Sequence, residues 1–174
     1  MNIINFIQKK YIRLQGSKNF LKLNYFIEKF FRDKKLGNIG FNFLDKPNRQ
    51  TIVQKIIEIK KYNSYLEIGT FHDELFQHIK CDKKVGVDPV SGGTIRKTSD
   101  QFFKDNKQKF DCIFIDGLHY YSQVKKDIEN SIKALNPNGI ILLHDCLPNN
   151  HFEQAVPRCQ ITWNGDVWKA IVEC

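Results

Sequence analysis

Two short polar groups carry most of the side chains able to do chemistry in this 174-residue chain, Asp116-Gly117-Leu118-His119 and His144-Asp145. Each follows a run of apolar residues, Cys112 to Ile115 before the first and Ile140 to Leu143 before the second. An imidazole titrates near neutrality, so His119 or His144 can serve as a general base that takes a proton from a hydroxyl. Orienting loops through hydrogen bonds is an equally good reading of any one of these residues taken alone. Three more polar groups sit at the ends of apolar runs: Glu67-Ile68-Gly69, Asp88 and Ser99-Asp100. Gly69 lets a ligand approach the backbone closely. Asp88 follows nineteen residues later, where a carboxylate accepts hydrogen bonds from the ribose hydroxyls of an adenosine-containing cofactor.

The elements needed to position these groups are legible from residue 64 onward. Tyr65 to Gly69 reads as a first strand and Val85 to Asp88 as a second, stopped by Pro89. Thr98 to Asp100 reads as a weak third strand or its end. Asp111 to Asp116 is the clearest strand, and Ile140 to Leu143 is the fifth. Between them, Phe71, Leu75, Phe76 and Ile79 form one helical stripe. Val124, Ile128, Ile132 and Leu135 form another, ended by Asn136-Pro137-Asn138-Gly139. Continuous apolar strands interleaved with helices predict an α/β fold, a doubly wound, mostly parallel sheet covered on both faces. In such a sheet ligands bind beyond the carboxyl ends of the strands, which is where all five polar groups fall.

Before residue 64 the chain has a different character. Residues 1–63 hold fourteen Lys or Arg against four Asp or Glu, whereas the remainder is slightly acidic. A basic leader suits nucleic acid or an anionic membrane, but in a Lys- and Asn-rich segment it reads more simply as a solvated helix face, so nucleic acid is not the expected partner. Residues 1–36 pattern as one or two amphipathic helices bearing Ile3, Ile4, Phe6, Ile7, Tyr11, Ile12 and Leu14, then Tyr25, Phe26, Ile27, Phe30 and Phe31. Faces this apolar are expected to pack on the main domain or on a partner, including a second copy of the chain. Residues 37–48 look like a connection, which divides the chain into an N-terminal extension, 1–48, and a main domain, 49–174. Ile52, Val53, Ile56 and Ile57 open that domain with a helical stripe. Five cysteines without a CxxC pair and no secretory signal suit a reducing, cytoplasmic setting. No run approaches the roughly 20 apolar residues that span a bilayer.

Taken in order, Tyr65-Leu66-Glu67-Ile68-Gly69-Thr70, Val85-Gly86-Val87-Asp88-Pro89 and Phe110 to His119 resemble the class I S-adenosylmethionine-dependent methyltransferases. The similarity is to the small bacterial subgroup with an I-D-G-x-H strand end, and Thr98 to Phe103, Leu143 to Cys146 and Trp163 to Ala170 extend it over roughly residues 50–174. The resemblance implies that Glu67 and Gly69 line the methionine part of the cofactor, that Asp88 binds the ribose, and that Ser99 and Asp100 lie near the adenine. Asp116 is counted with both the cofactor-binding and the catalytic residues. Some relatives with acidic residues at the positions of Asp116, His144 and Asp145 bind magnesium, so a divalent cation is a second implied cofactor. Two departures stand out: Asp73 occupies a place where the family often has a second glycine, and two C-terminal antiparallel strands of the family fold are expected to be missing.

Methyl transfer is an in-line displacement, and the protein's task is to hold the acceptor near the sulfonium carbon and accommodate one proton. The expected activity is therefore O-methylation of a small-molecule or sugar-like acceptor. A dehydrogenase would want G-x-G-x-x-G after the first strand, which Gly69-Thr70-Phe71-His72-Asp73 lacks. The other rival is a degenerate methyltransferase fold used as a non-catalytic binding module through its basic N-terminal helices. The retained Asp88, Asp116, His144 and Asp145 argue for catalysis.

Overall fold

Four strands, all parallel, form the sheet: β1 (Ser64–Ile68), β2 (Lys83–Val87), β3 (Phe110–Ile115) and β4 (Leu135–Leu143). Their spatial order is β2-β1-β3-β4, so chain direction across the sheet reverses beside β1, the arrangement of a doubly wound fold. The computed structural model describes residues 14, 16–31 and 39–174. Its helices are α1 (Lys18–Phe31), α2 (Arg49–Lys60), α3 (Ser99–Asp105), α4 (Tyr121–Ala134) and α5 (Val167–Glu173). Among the described residues no strand follows β4, and no helix is long and apolar enough to cross a membrane. The chain divides into two compact units. One holds residues 44–118 and 124–144, and the other holds the described residues up to Phe43 together with 119–123 and 145–174.

In the sheet unit every residue of β1 is buried, as expected of a central parallel strand covered on both faces. Register places Tyr65 beside Cys112 and Cys112 beside Ile140, so these share one face of the pleat. That face packs with Phe114, with Val53 and Ile57 of α2, and with Leu75, Phe76 and Ile79. Leu66, Ile68, Ile113 and Ile115 point the other way and are equally buried. Asp127 of α4 reaches that side, since its carboxylate and Ile68 both lie beside Gly117. α4 turns Val124, Asp127, Ile128, Ser131 and Ala134 inward and leaves Ile132 exposed.

Three expected elements take a different form, the last strand among them, since it starts at Leu135 and takes in Asn136 to Gly139, read above as helix end and turn. The third strand shrinks to a single parallel bridge between Val87 and Ile95. Thr98 belongs instead to the start of α3, where it and Gln101 form a reciprocal capping box; two orphan backbone N–H groups are satisfied that way, which favours a helix over a strand. The helix expected over Phe71 to Ile79 is a succession of turns, because Phe71 and Asp73 both have positive φ (44° and 61°), which a right-handed helix excludes.

The second unit contains α1, but the N-terminal stripe from Ile3 to Ile12 lies outside the described residues. α1 buries Asn24 and Glu28, one turn apart, rather than its apolar face. The Asn24 amide donates to the Arg158 carbonyl at 2.9 Å, and Tyr25 stacks on Phe152. Leu23, Phe26, Phe30 and Phe31 remain exposed. α5 begins after Asp166, whose side chain does not cap it. The carboxylate accepts from the Tyr121 N–H, the first residue of α4, and pairs with Lys169.

Gly69 sets how closely β1 and β3 approach at the carboxyl edge. Its φ is +91°, and a Cβ there would lie 2.0 Å from the Asp116 carbonyl oxygen. Gly69→Ala is expected to cost on the order of 3 kcal/mol in urea unfolding. A loss below about 0.5 kcal/mol, the range of an ordinary surface change, would show that the turn tolerates a side chain.

Candidate functional site

Backbone pairing runs one residue past the strands. Gly69 N–H donates to Val87 O at 2.8 Å, Asp116 N–H to Ile68 O at 2.8 Å, and His144 N–H to Ile115 O at 3.0 Å. Asp88, Gly69, Asp116 and His144 therefore line up along the carboxyl edge in the order of their strands. This ladder, more than any side-chain contact, places them together.

On that edge Asp116 is the shared partner. Its Oδ1 lies 3.3 Å from His144 Nδ1, and its Oδ2 accepts from Arg49 Nη1 at 3.2 Å. The other guanidinium arm pairs with Glu74 at 2.8 Å. Arg49 is the first residue of α2, held there by Asn48, whose side chain accepts from Thr51 N–H. Composition and spacing did not single out Arg49; the only signal was Asn48, a good N-cap residue after Pro47.

Glu67 lies inside β1 with 2% of its surface exposed and accepts from the Tyr65 hydroxyl at 2.6 Å. Burial pushes its carboxyl up to about 7; the Tyr65 hydrogen bond and the Arg49 charge pull it down, while Asp116 and Asp73 add to the rise.

The Asp88 carboxylate accepts from the N–H groups of Val90 and Ser91 on Oδ1 and of Phe71 on Oδ2. It thus ties the loop after β1 to the loop after β2. Two more bonds reinforce the tie, Ser91 hydroxyl to Phe71 O at 2.7 Å and Gly93 N–H to Asp73 Oδ1 at 2.6 Å. Asp73 keeps a left-handed backbone and uses its carboxylate to hold the Gly92-Gly93 turn. Thr70, also unmarked in the sequence, has a buried hydroxyl oxygen with no hydrogen-bond partner. Ser99 and Asp100 fall in the first turn of α3, Ser99 half-buried and Asp100 exposed.

His119 and Asp145 belong to the other unit and pair with each other. His119 Nδ1 lies 3.3 Å from Asp145 Oδ2 and 3.1 Å from the Trp163 carbonyl. Asn164, a third residue unmarked in the sequence, donates to Asp145 Oδ1 at 3.0 Å. Each unit thus holds one carboxylate–imidazole pair, Asp116–His144 in the sheet unit and His119–Asp145 in the other, both at 3.3 Å.

A magnesium ion at Asp116 would have to compete with side chains already in contact there. One carboxylate oxygen already faces a guanidinium and the other an imidazole, and nitrogen is a softer donor than a hard divalent ion prefers.

Residues 44–146 match the family described as a methyltransferase domain. An uncharacterized protein of Sinorhizobium fredii is 36% identical over 84 residues, 48% of this chain and 9% of that protein, so the chain spans about a tenth of the length of this curated relative. The structure of a proposed O-methyltransferase from Klebsiella pneumoniae superposes with a TM-score of 0.50 at 12% identity, covering 91% of this chain and 77% of that one; the likeness is one of fold. An O-methyltransferase from Bacillus cereus, solved in complex with S-adenosylhomocysteine, gives 0.47 at 13% identity, covering 87% and 86%.

Glu67 makes stability depend on pH in a definite direction. An acid whose pKa rises on folding favours the folded state at low pH and loses that contribution as pH climbs from about 4.5 through about 7. Glu67→Gln removes the ionisation, so its stability relative to the wild type should grow by roughly 3 kcal/mol between pH 4.5 and 8. Urea unfolding of both proteins at the two pH values measures this. An equal gap at both would mean that Glu67 titrates as an ordinary carboxyl.

Proposed function

Because the chain belongs to the class I S-adenosylmethionine-dependent methyltransferases, we propose that it methylates a hydroxyl of a small-molecule or sugar-like acceptor, with His144 as the base. The carrying observation is the His144–Asp116 pair on the strand edge that also holds Gly69 and Asp88. When bound, S-adenosylmethionine supplies an electrophilic methyl carbon and leaves as S-adenosylhomocysteine. Asp116 beside Nδ1 favours the tautomer with its proton on Nδ1, so the Nε2 lone pair is left to take the acceptor's hydroxyl proton. Removing that proton as the oxygen–carbon bond forms keeps the acceptor nucleophilic. The His119–Asp145 pair has the same construction and is the alternative base.

The cofactor assignment rests on Glu67, Gly69, Asp88, Ser99, Asp100 and Asp116. Asp88 suits a ribose because Oδ2 accepts only one backbone N–H and keeps a lone pair for a hydroxyl donor. The orphaned Thr70 hydroxyl at the end of β1 offers a further polar group to a ligand there. Five free thiols suit a reducing compartment such as the cytoplasm.

Calorimetry on the purified protein should show S-adenosylmethionine and S-adenosylhomocysteine binding more tightly than NAD. Asp88→Ala should weaken both by roughly 1.5–3 kcal/mol, the worth of hydrogen bonds to a charged group. Tighter binding of NAD, or unchanged affinity in Asp88→Ala, would count against the assignment. Manganese added to the protein should leave the His144 ring resonances sharp, since no ion is proposed there; paramagnetic broadening confined to that ring would restore the metal reading.

A further inference from the structure

Resting on the reading of His144 as base, the geometry points to Arg49 as the positioning residue of that base, acting through Asp116. A carboxylate on a short side chain can rotate and present either oxygen to a neighbour. Here it cannot do so freely, because Oδ2 is engaged by Arg49 Nη1 at 3.2 Å while Oδ1 faces His144 at 3.3 Å. Arg49 is fixed from its other end, where Nη2 holds Glu74 at 2.8 Å. Its main chain is fixed as well, at the first position of a helix capped by Asn48. Glu74, Arg49, Asp116 and His144 thus form one line of contacts from the helix to the strand edge.

The planar guanidinium suits this task. Its two nitrogens engage two different carboxylates at once, which the single ammonium of lysine at the end of a flexible stem does not reproduce. The same cation meets the charge of Asp116 from within the chain, at Oδ2. Held so, the Asp116 charge 3.3 Å from Nδ1 favours the proton of His144 on that nitrogen.

Nitrogen-detected NMR of the imidazole rings of the full chain tests this without knowing the acceptor. His144 is assigned by the loss of its signals in His144→Gln. In the wild type the neutral ring should be mostly the Nδ1–H tautomer. In Arg49→Gln that fraction should fall, and Asp116→Asn should produce the same fall. The double variant should add nothing to Asp116→Asn, because both changes act through one carboxylate. A merely structural role for Arg49 would instead give independent, additive effects or none at the ring. If Arg49→Gln does not fold, Arg49→Lys keeps the charge and should still lower the Nδ1–H fraction. An unchanged His144 spectrum in a folded Arg49 variant overturns the inference. Binding of S-adenosylhomocysteine, measured on the same samples, separates the two readings: a wild type that does not bind it overturns the proposed function, whereas the tautomer ratios alone decide the role of Arg49.

Discussion

β1 is buried along its whole length and lies between two parallel neighbours, so its backbone can leave the sheet only at the carboxyl edge. There it passes so close to β3 that the residue after Ile68 has no space for a Cβ against the Asp116 carbonyl. Everything at the edge follows from this contact. The ladder from Val87 to Gly69, from Ile68 to Asp116 and from Ile115 to His144 carries each polar residue to its place by backbone hydrogen bonds. They are main-chain bonds, so the placement does not depend on the side chains around it. A site assembled this way needs few dedicated interactions, which suits a reaction whose main requirement is position.

Beyond that edge the loops after β1 and β2 are joined to each other. Asp88 gathers three backbone donors, and Asp73 secures the Gly92-Gly93 turn. Asp73 takes a conformation that glycine adopts without strain, and its carboxylate supplies a bond that glycine could not make. Asp73 therefore holds the loop through its side chain while its backbone takes a glycine-like turn. The same economy explains the missing third strand. With the chain after β2 already bonded to β1's loop and a capping box starting α3 at Thr98, only Ile95 is left to pair with β2.

The strands and the sheet class were legible because buried parallel strands are continuous apolar runs, and Cys112 to Ile115 or Ile140 to Leu143 admit little else. The turns after β1 were not legible. Phe71, Leu75, Phe76 and Ile79 have helical spacing and are used to cover the sheet, but positive φ at Phe71 and Asp73 is invisible to periodicity. In α1, the spacing of residue types cannot show that Asn24 finds a carbonyl at Arg158 and so turns inward. At the site, Asp116 and His144 were found because they end strands. Arg49 was missed because it begins a helix sixty-seven residues earlier, and no local pattern connects the two.

That long-range contact also settles how charge is shared at the edge. Glu67 and Asp116 both belong to strand ends, and the charge of Asp116 adds to the rise of the Glu67 pKa while Arg49 opposes it. The guanidinium is in direct contact with Asp116, whereas Glu67 is held by the neutral hydroxyl of Tyr65. The carboxylate in contact with the guanidinium gains far more from the short distance than the more distant one. Asp116 lies between the guanidinium and the imidazole at the edge, whereas Glu67, sealed inside β1, has its carboxyl pushed up to about 7 by burial. The edge thus sets the carboxylate of Asp116 beside the imidazole of His144 and a sealed carboxyl behind it, an arrangement that places the polar chemistry at the surface of the sheet and keeps the strand that supports it intact.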